Sequence, residues 1–275
     1  MTIKHYYYYY YYYFLIVLSL VSCDRNSDDI NNNESINIIP IIEYKLIKSY
    51  PHDTTSFTEG FLVSDGKLYE SSGAPQNLPQ TKSLFGIVDL ATGKIDKKVE
   101  LDKTKYFGEG ITILNAKVYQ LTYETKIGFV YDAITFKKIG EFTFPGKEGW
   151  GLTTDGTNLI MSDGTFEITY LDPITFRTVK KVSVTENNYP VENINELEYI
   201  NGYIFANIWP TNTIVKIDPI DGKVVGKLDL TILSDEAYNL YPVSLEMNGI
   251  AYDSLTNKVF VTGKLWPLIY ELELK

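Results

Sequence analysis

Glu109 stands between two glycines, Gly108-Glu109-Gly110, and Trp150 is framed the same way in Gly149-Trp150-Gly151. Elsewhere an amide and a carboxylate are neighbours, Asn195-Glu196, and a further glutamate precedes a glycine, Glu59-Gly60. A carboxyl group between glycines is open to a substrate and can take up and return a proton. A side-chain amide can donate hydrogen bonds to a developing oxyanion. Other chemistries are ruled out by composition. The 275 residues contain two histidines, His5 and His52, and one cysteine, Cys23. His5 falls in a segment read below as a cleaved leader, so His52 is the only imidazole of the mature chain and a multi-histidine metal site is excluded. One cysteine can form neither an internal disulfide nor a thiolate zinc or iron–sulfur site, which takes about four such ligands. Reaction chemistry therefore falls to carboxylates, lysines, amides and aromatics. With 35 acidic against 25 basic side chains the net charge is −10, and nucleic acid is not an expected partner.

The elements that carry these residues begin after a targeting segment. Lys4 and His5, then a run of eight tyrosines at 6–13, precede the apolar stretch Phe14-Leu15-Ile16-Val17-Leu18-Ser19-Leu20-Val21. That stretch has the length of a secretory apolar region and is too short to span a bilayer. It ends at Leu20-Val21-Ser22-Cys23, which resembles the bacterial lipobox, in which the cysteine is lipidated and becomes the mature N-terminus. Residues 1–22 are therefore expected to be a lipoprotein signal peptide. Residues 23–43 follow as a flexible tether, whose part 24–34 (DRNSDDINNNE) has no apolar periodicity. Cleavage removes Lys4, the leader's only formal charge, and leaves about −11. The expectation is an exported bacterial lipoprotein held to a membrane through Cys23.

From residue 44 onward the chain repeats. Five units open at Glu59, Glu109, Trp150, Glu196 and Gly249, with offsets of 50, 41, 46 and 53 residues. In each, an apolar strand is followed by a turn signal (Asp65-Gly66, Asn115-Ala116, Asp155-Gly156, Asn201-Gly202, Thr256-Asn257) and a second strand, as in KLYESSG and KVYQLTY. Such pairs read as β-hairpins. Third strands ending at Asp89, Asp132, Asp172 and Asp218 have turns of their own. A four-stranded propeller blade occupies about this length, and no sustained 3.6-residue periodicity competes with it. The predicted fold is an all-β, five-bladed β-propeller over residues 44–275. The last unit supplies only three strands, so Tyr44-Lys45-Leu46-Ile47-Lys48-Ser49-Tyr50, which alternates apolar and polar, is expected to close the ring against it. The aspartates at the turns need no role beyond backbone geometry. The opening residues differ, because the innermost strands of a propeller line its axis and their starts converge at one mouth. Glu109, Trp150, Asn195 and Glu196 would meet there, with glycines letting backbones crowd together.

Seven segments carry a family resemblance: Ser56-Phe57-Thr58-Glu59-Gly60, Tyr69-Glu70-Ser71-Ser72-Gly73, Gly108-Glu109-Gly110, Gly149-Trp150-Gly151-Leu152, Asn195-Glu196-Leu197-Glu198-Tyr199, Ala206-Asn207-Ile208-Trp209 and Thr262-Gly263-Lys264-Leu265-Trp266-Pro267. In this order and spacing they resemble the plant and bacterial glutaminyl-peptide cyclotransferases, over roughly residues 44–275. The resemblance implies a five-bladed propeller and conversion of an N-terminal glutamine to pyroglutamate with release of ammonia, without a metal or other cofactor. It places the catalytic glutamate at Glu109 and the amide and ammonium that stabilise the oxyanion at Asn195 and Lys264. Trp150, Trp209 and Trp266, with Phe57 and Phe107, would wall the substrate, and Glu70 and Glu196 would support the site from behind. Two positions depart from the family pattern. Glu59 stands where glutamine is usual, adding a carboxylate that raises proton affinity nearby. Tyr123 stands where tryptophan is usual, a smaller wall with a phenol. The expected partners are peptides or proteins beginning with glutamine, with the chain acting as a monomer.

Two other functions are compatible with a propeller, since the fold alone proves none. A non-catalytic surface module would bind peptide ends without releasing ammonia. A calcium-dependent hydrolase of lactonase type would use Glu59, Glu109, Asn195 and Glu196 as ligands, although Lys264 disfavours a cation there.

Overall fold

The computed structural model describes residues 38–275. The expected leader, Cys23 and most of the expected tether lie outside the described residues. Strand β1 (Tyr44–Pro51) comes first. Blade one is β2 (Phe57–Ser64), β3 (Lys67–Gly73), β4 (Leu84–Val88) and β5 (Ile95–Glu100), and blade two is β6 (Gly108–Leu114), β7 (Lys117–Thr122), β8 (Ile127–Asp132) and β9 (Lys138–Thr143). Blade three is β10 (Leu152–Thr154), β11 (Leu159–Ser162), β12 (Glu167–Leu171) and β13 (Thr178–Ser183), followed by a two-stranded hairpin of β14 (Thr185–Glu186) and β15 (Tyr189–Pro190). Blade four is β16 (Ile194–Ile200), β17 (Tyr203–Ile208), β18 (Thr213–Ile217) and β19 (Val224–Asp229). A helix α1 (Thr231–Leu240) then leads to β20 (Met247–Asp253), β21 (Lys258–Gly263) and β22 (Leu268–Leu274).

The fifth sheet has the order β20-β21-β22-β1. Its outer strand therefore comes from the front of the chain, antiparallel to β22, with Tyr44 opposite Leu274 and Pro51 opposite Leu268. This is the five-bladed propeller with N-terminal closure that the repeat predicted. The folded unit reaches ahead of Tyr44, because Ile42 N donates to Lys227 O at 2.7 Å and Lys227 N to Pro40 O at 3.0 Å, tying residues 40–42 to β19. Helix α1 is an element that the sequence pattern did not signal. Only Leu233 and Ala237 of its ten residues are buried, too few to print a helical period.

The turns follow their residue types. Asp65-Gly66 has φ of 50° and 69° and Asn201-Gly202 has 49° and 88°, the paired positive values of a tight hairpin turn. The aspartates after the third strands accept backbone N–H groups two or three residues on: Asp132 from Thr135 at 2.7 Å, Asp172 from Thr175 at 2.7 Å and Asp218 from Ile220 at 2.8 Å. Between blades lie five apolar cores, one for each pair of neighbours. Phe85 and Tyr69 meet Ile111 and Phe129, Leu121 and Phe142 meet Leu152 and Met161, and Ile168 and Tyr170 meet Leu197 and Ile204. Phe205 and Leu228 meet Ile250 and Tyr270, and Phe260 and Ile269 of blade five meet Phe61 and Leu68 of blade one. Each such side chain is worth about 1.5–3 kcal/mol when removed from water, so the ring is held by burial on both faces of every blade.

Alternation of strand direction explains what gathers at one face. Inner strands start there, second strands end there, and outer strands end there before crossing to the next blade. The cavity face therefore collects the connections 52–56, 101–107, 144–151, 184–193 and 230–246, together with the turns between second and third strands. At the axis the inner strands press close: Gly110 N donates to Trp150 O at 2.8 Å. A β-carbon on Gly110 would lie 2.4 Å from Leu152 N, and one on Gly151 would lie 2.2 Å from Asn195 O. Only glycine admits that approach, which is why glycines flank Glu109 and Trp150.

Candidate active site

A cavity of about 450 Å³ opens at this face. Its floor is built from strand starts and one turn. Glu59 enters from β2, Glu109 from β6, Asn195 from β16, and Lys264 from the turn between β21 and β22. All four are buried residues whose side chains reach the cavity. Lys264 Nζ stands 2.8 Å from Glu59 Oε1 and 4.5 Å from the centre of the Phe57 ring. Asn248 Nδ2 donates to Glu59 Oε2 at 3.0 Å. Among the described residues no donor is hydrogen-bonded to the Glu109 carboxylate, which leaves it to a substrate. The Asn195 Oδ1 is buried with no hydrogen-bond partner among the described residues.

Two aromatic walls rise from the floor. On one side Phe107 meets Phe57 edge-on at 6.0 Å and lies tilted against Tyr123 at 5.9 Å. On the other Trp150 meets Trp209 edge-on at 6.2 Å, and Trp150 Nε1 donates to Glu148 at 2.9 Å. Lys147, Glu148, Asn193 and Glu246 complete the lining.

Electrostatics follow from burial and charge count. Burial pushes Glu59 up to about 7 although Lys264 and Asn248 oppose it. Burial also lifts Glu109 well above the ordinary carboxylate range, aided by Glu59 and Glu148 and opposed by Lys264. Desolvation works against the Lys264 ammonium, but Glu59 and Glu109 outweigh it and raise that group. Tyr123 is pushed up to about 12 by burial and by Glu148, so its phenol stays neutral. The floor thus holds a permanent cation, a carboxylate paired to it, and an unpaired carboxyl of high proton affinity. A carboxyl whose proton affinity is raised toward that of an amine can exchange protons with one, beside an ammonium and an amide able to receive an oxyanion.

A sequence model of the glutamine cyclotransferases matches residues 15–274. The chain belongs to the glutamine cyclotransferase family. Among curated proteins, a glutaminyl-peptide cyclotransferase of Arabidopsis thaliana is 40% identical over 237 residues, which is 86% of this chain and 72% of that protein. The crystal structure of Myxococcus xanthus glutaminyl cyclase superposes with a TM-score of 0.78 at 32% identity, covering 86% of this chain and 98% of that one.

Of the residues singled out in the sequence, the cavity of this glutamine cyclotransferase brings together Phe57, Glu59, Phe107, Glu109, Tyr123, Trp150, Asn195, Trp209 and Lys264. Trp266 is not among them. Expected as a wall, it is fully buried between blades four and five, its Nε1 donating to Leu245 O at 2.8 Å and its ring edge-on to Tyr270 at 6.1 Å. Leu265 is the cause: its φ of 60° turns the chain so that Lys264 faces the cavity and Trp266 the core. Glu70 and Glu196 lie outside the cavity lining, both fully buried. Glu70 accepts Thr58 Oγ1 at 2.7 Å and also Ser56 Oγ, on either side of Phe57. Glu196 accepts Phe61 N at 3.1 Å and Ile250 N at 2.8 Å, joining the inner strands of blades one, four and five.

Lys147, Glu148, Asn193 and Glu246 of the lining, and Asn248 behind Glu59, are not singled out by the repeat or the motifs. Glu148 and Asn248 each lie within two residues of an opening residue, Trp150 and Gly249, and could have been included on that ground. Glu246 sits in the longest inter-blade connection, where no repeat marks it.

Proposed function

We propose that this chain cyclises the N-terminal glutamine of peptides to pyroglutamate, releasing ammonia without a metal, with Glu109 moving the proton. The observation that carries this reading is the unpaired, buried Glu109 carboxyl facing the same cavity as Asn195 and the Lys264 ammonium. The α-amine attacks the side-chain carbonyl carbon, forming the ring C–N bond. Glu109 takes a proton from the attacking nitrogen and gives it to the departing NH2, whose C–N bond then breaks to release ammonia. Asn195 and Lys264 receive the oxyanion of the tetrahedral intermediate. Trp150, Trp209, Phe57 and Phe107 hold the flexible glutamine side chain in a ring-closing pose, and Tyr123 narrows the wall beside Phe107. Lys264 already answers the Glu59 charge, which works against a divalent cation at the same place and so against calcium-dependent hydrolysis. Ammonia release from Gln-initiated peptides, measured with and without chelator, tests the reading. Release that survives chelation is expected; tight peptide binding without release would mean a binding module, and loss of release on chelation would mean a metal enzyme.

The location proposed is outside the bacterial cytoplasm, on the periplasmic or cell-surface side of a membrane, with lipid on Cys23 as the anchor. It rests on the order of apolar stretch, small residue, cysteine and polar tether between residues 14 and 34. Cys23→Ser is expected to abolish partition into membranes, since the acyl chains supply the only strong attachment of an acidic chain. Unchanged partition would overturn it.

A further inference from the structure

The connection from blade four to blade five, residues 230–246, crosses the cavity face and carries α1. Leu233 and Ala237, one turn apart, are buried, and Tyr270 Oη donates to Leu233 O at 3.2 Å. The rest of the connection turns large apolar side chains outward: Ile232 is 76% exposed, Tyr238 57%, Leu240 59%, Val243 55% and Leu245 39%. Exposed apolar residues elsewhere, such as Ile134, Ile174 and Ile220, stand singly on turns at the opposite face and need no explanation. Here they follow one another along a single segment that ends in the cavity. Leu245 N donates to Lys264 O and Lys264 N to Glu246 O, both at 2.9 Å, and Glu246 itself lines the cavity. Trp209 stands on the rim as well, 38% exposed. On the Trp150 side the rim is charged, with the Lys147 side chain 71% exposed beside Glu148.

We infer that the strip from Leu240 to Leu245 receives the substrate chain beyond its first residue, and that the enzyme favours peptides with apolar side chains at the second to fourth positions. The inference rests on the cyclisation reading. A peptide whose leading glutamine is in the cavity must leave through the mouth, and the strip is an exposed apolar segment that runs along the chain into that mouth, through Leu245 bonded to Lys264 and then Glu246. Charge argues for a peptide over a bilayer. Residues 230–246 include Asp235, Glu236 and Glu246 but no lysine or arginine, whereas helices that lie on anionic membranes carry basic polar faces.

The test uses the full chain carrying Cys23→Ser, so that no acyl anchor masks binding by the strip, and the same chain with the added variant Leu240→Asp/Val243→Asp, which alters two exposed side chains outside the cavity. Kinetics are measured on Gln-Ala, on Gln-Leu-Phe-Leu and on Gln-Ser-Gly-Ser. With the strip unaltered, KM for the apolar tetrapeptide is expected to be about tenfold below that for the polar one, the effect of one apolar side chain leaving water. The variant is expected to lose that difference through KM with kcat unchanged, and to treat Gln-Ala as before. Turnover of Gln-Ala with equal KM for the two tetrapeptides, or a preference that persists in the variant, overturns the inference alone. Binding to phosphatidylglycerol vesicles that the variant abolishes, with peptide kinetics unaltered, also overturns it and assigns the strip to a bilayer. No turnover of Gln-Ala would instead overturn the cyclisation reading beneath it.

Discussion

His52 Nε2 lies 3.0 Å from Glu70 Oε2, with both side chains wholly buried, and this contact joins the ring closure to the site. His52 directly follows the closing strand β1, and its Nδ1 is 2.9 Å from Trp266 O, two residues past Lys264. Glu70 also fixes Ser56 and Thr58 around Phe57. One carboxylate thereby sets the start of β2, which carries Glu59, against the turn that carries Lys264.

Replacing Glu70 should therefore be costly in a pH-dependent way. Burial disfavours the His52 charge, but Glu70 and the Trp266 carbonyl outweigh it and raise the group above its ordinary value. A raised folded-state value contributes stability that is complete below the unfolded value, near 6.5, and is lost as pH rises through the folded one. Glu70→Gln keeps an acceptor and removes the charge. Its loss of thermal stability should be greater at pH 6 than at pH 9, by melting curves on both proteins. A difference independent of pH would mean that the ion pair contributes nothing.

Glu198 makes a second pH prediction, of the same sign, at the other end of the axis. Burial lifts it to about 8 against the donors Tyr252 N and Thr153 Oγ1. Between the ordinary 4.5 and about 8 the folded state holds a proton that the unfolded state has released. Stability should then fall as pH rises through this window, with a slope of up to about 1.4 kcal/mol per pH unit from this group. In Glu198→Gln that part of the slope should vanish in denaturant titrations at several pH values. Identical slopes in the two proteins would refute it.

Ring closure gives a prediction about truncation. A chain starting after Pro51 leaves β22 as an open edge and uncovers Tyr44 contacts in the core between blades four and five. It should melt well below a chain starting at Ile38 and aggregate more readily. Equal melting temperatures would show that four complete blades hold the fifth without the strap.

That closure was legible in advance because it follows from counting: the last unit lacked a strand and an alternating segment was left over at the front. Most of the cavity floor was legible for a related reason. Glu59, Glu109 and Asn195 lie at or beside repeat openers, and once the strands form a ring their positions at the axis are fixed by symmetry. Glu246 and α1 were not legible, because they belong to the one long connection, where no period constrains the chain. Trp266 was misplaced because its direction depends on a left-handed backbone at Leu265, a residue type that gives no warning of one.

The sharpest prediction separates the two floor glutamates. Glu109→Gln retains shape and loses proton exchange, so the fold should stand while kcat falls by about 10⁴-fold, the upper range for a general acid–base group, because one carboxyl serves both transfers. Peptide affinity should change little, since the walls Trp150 and Trp209 are untouched. Glu59→Gln removes a charge that raises Glu109 and frees Lys264 to act on it, so both effects lower the proton affinity of Glu109. Turnover should persist, with the acid limb of the kcat profile displaced to lower pH. Steady-state kinetics across pH on both variants decide it. Loss of turnover in Glu59→Gln with retention in Glu109→Gln would move the proton shuttle to Glu59, with Lys264 as the group that keeps it ionised.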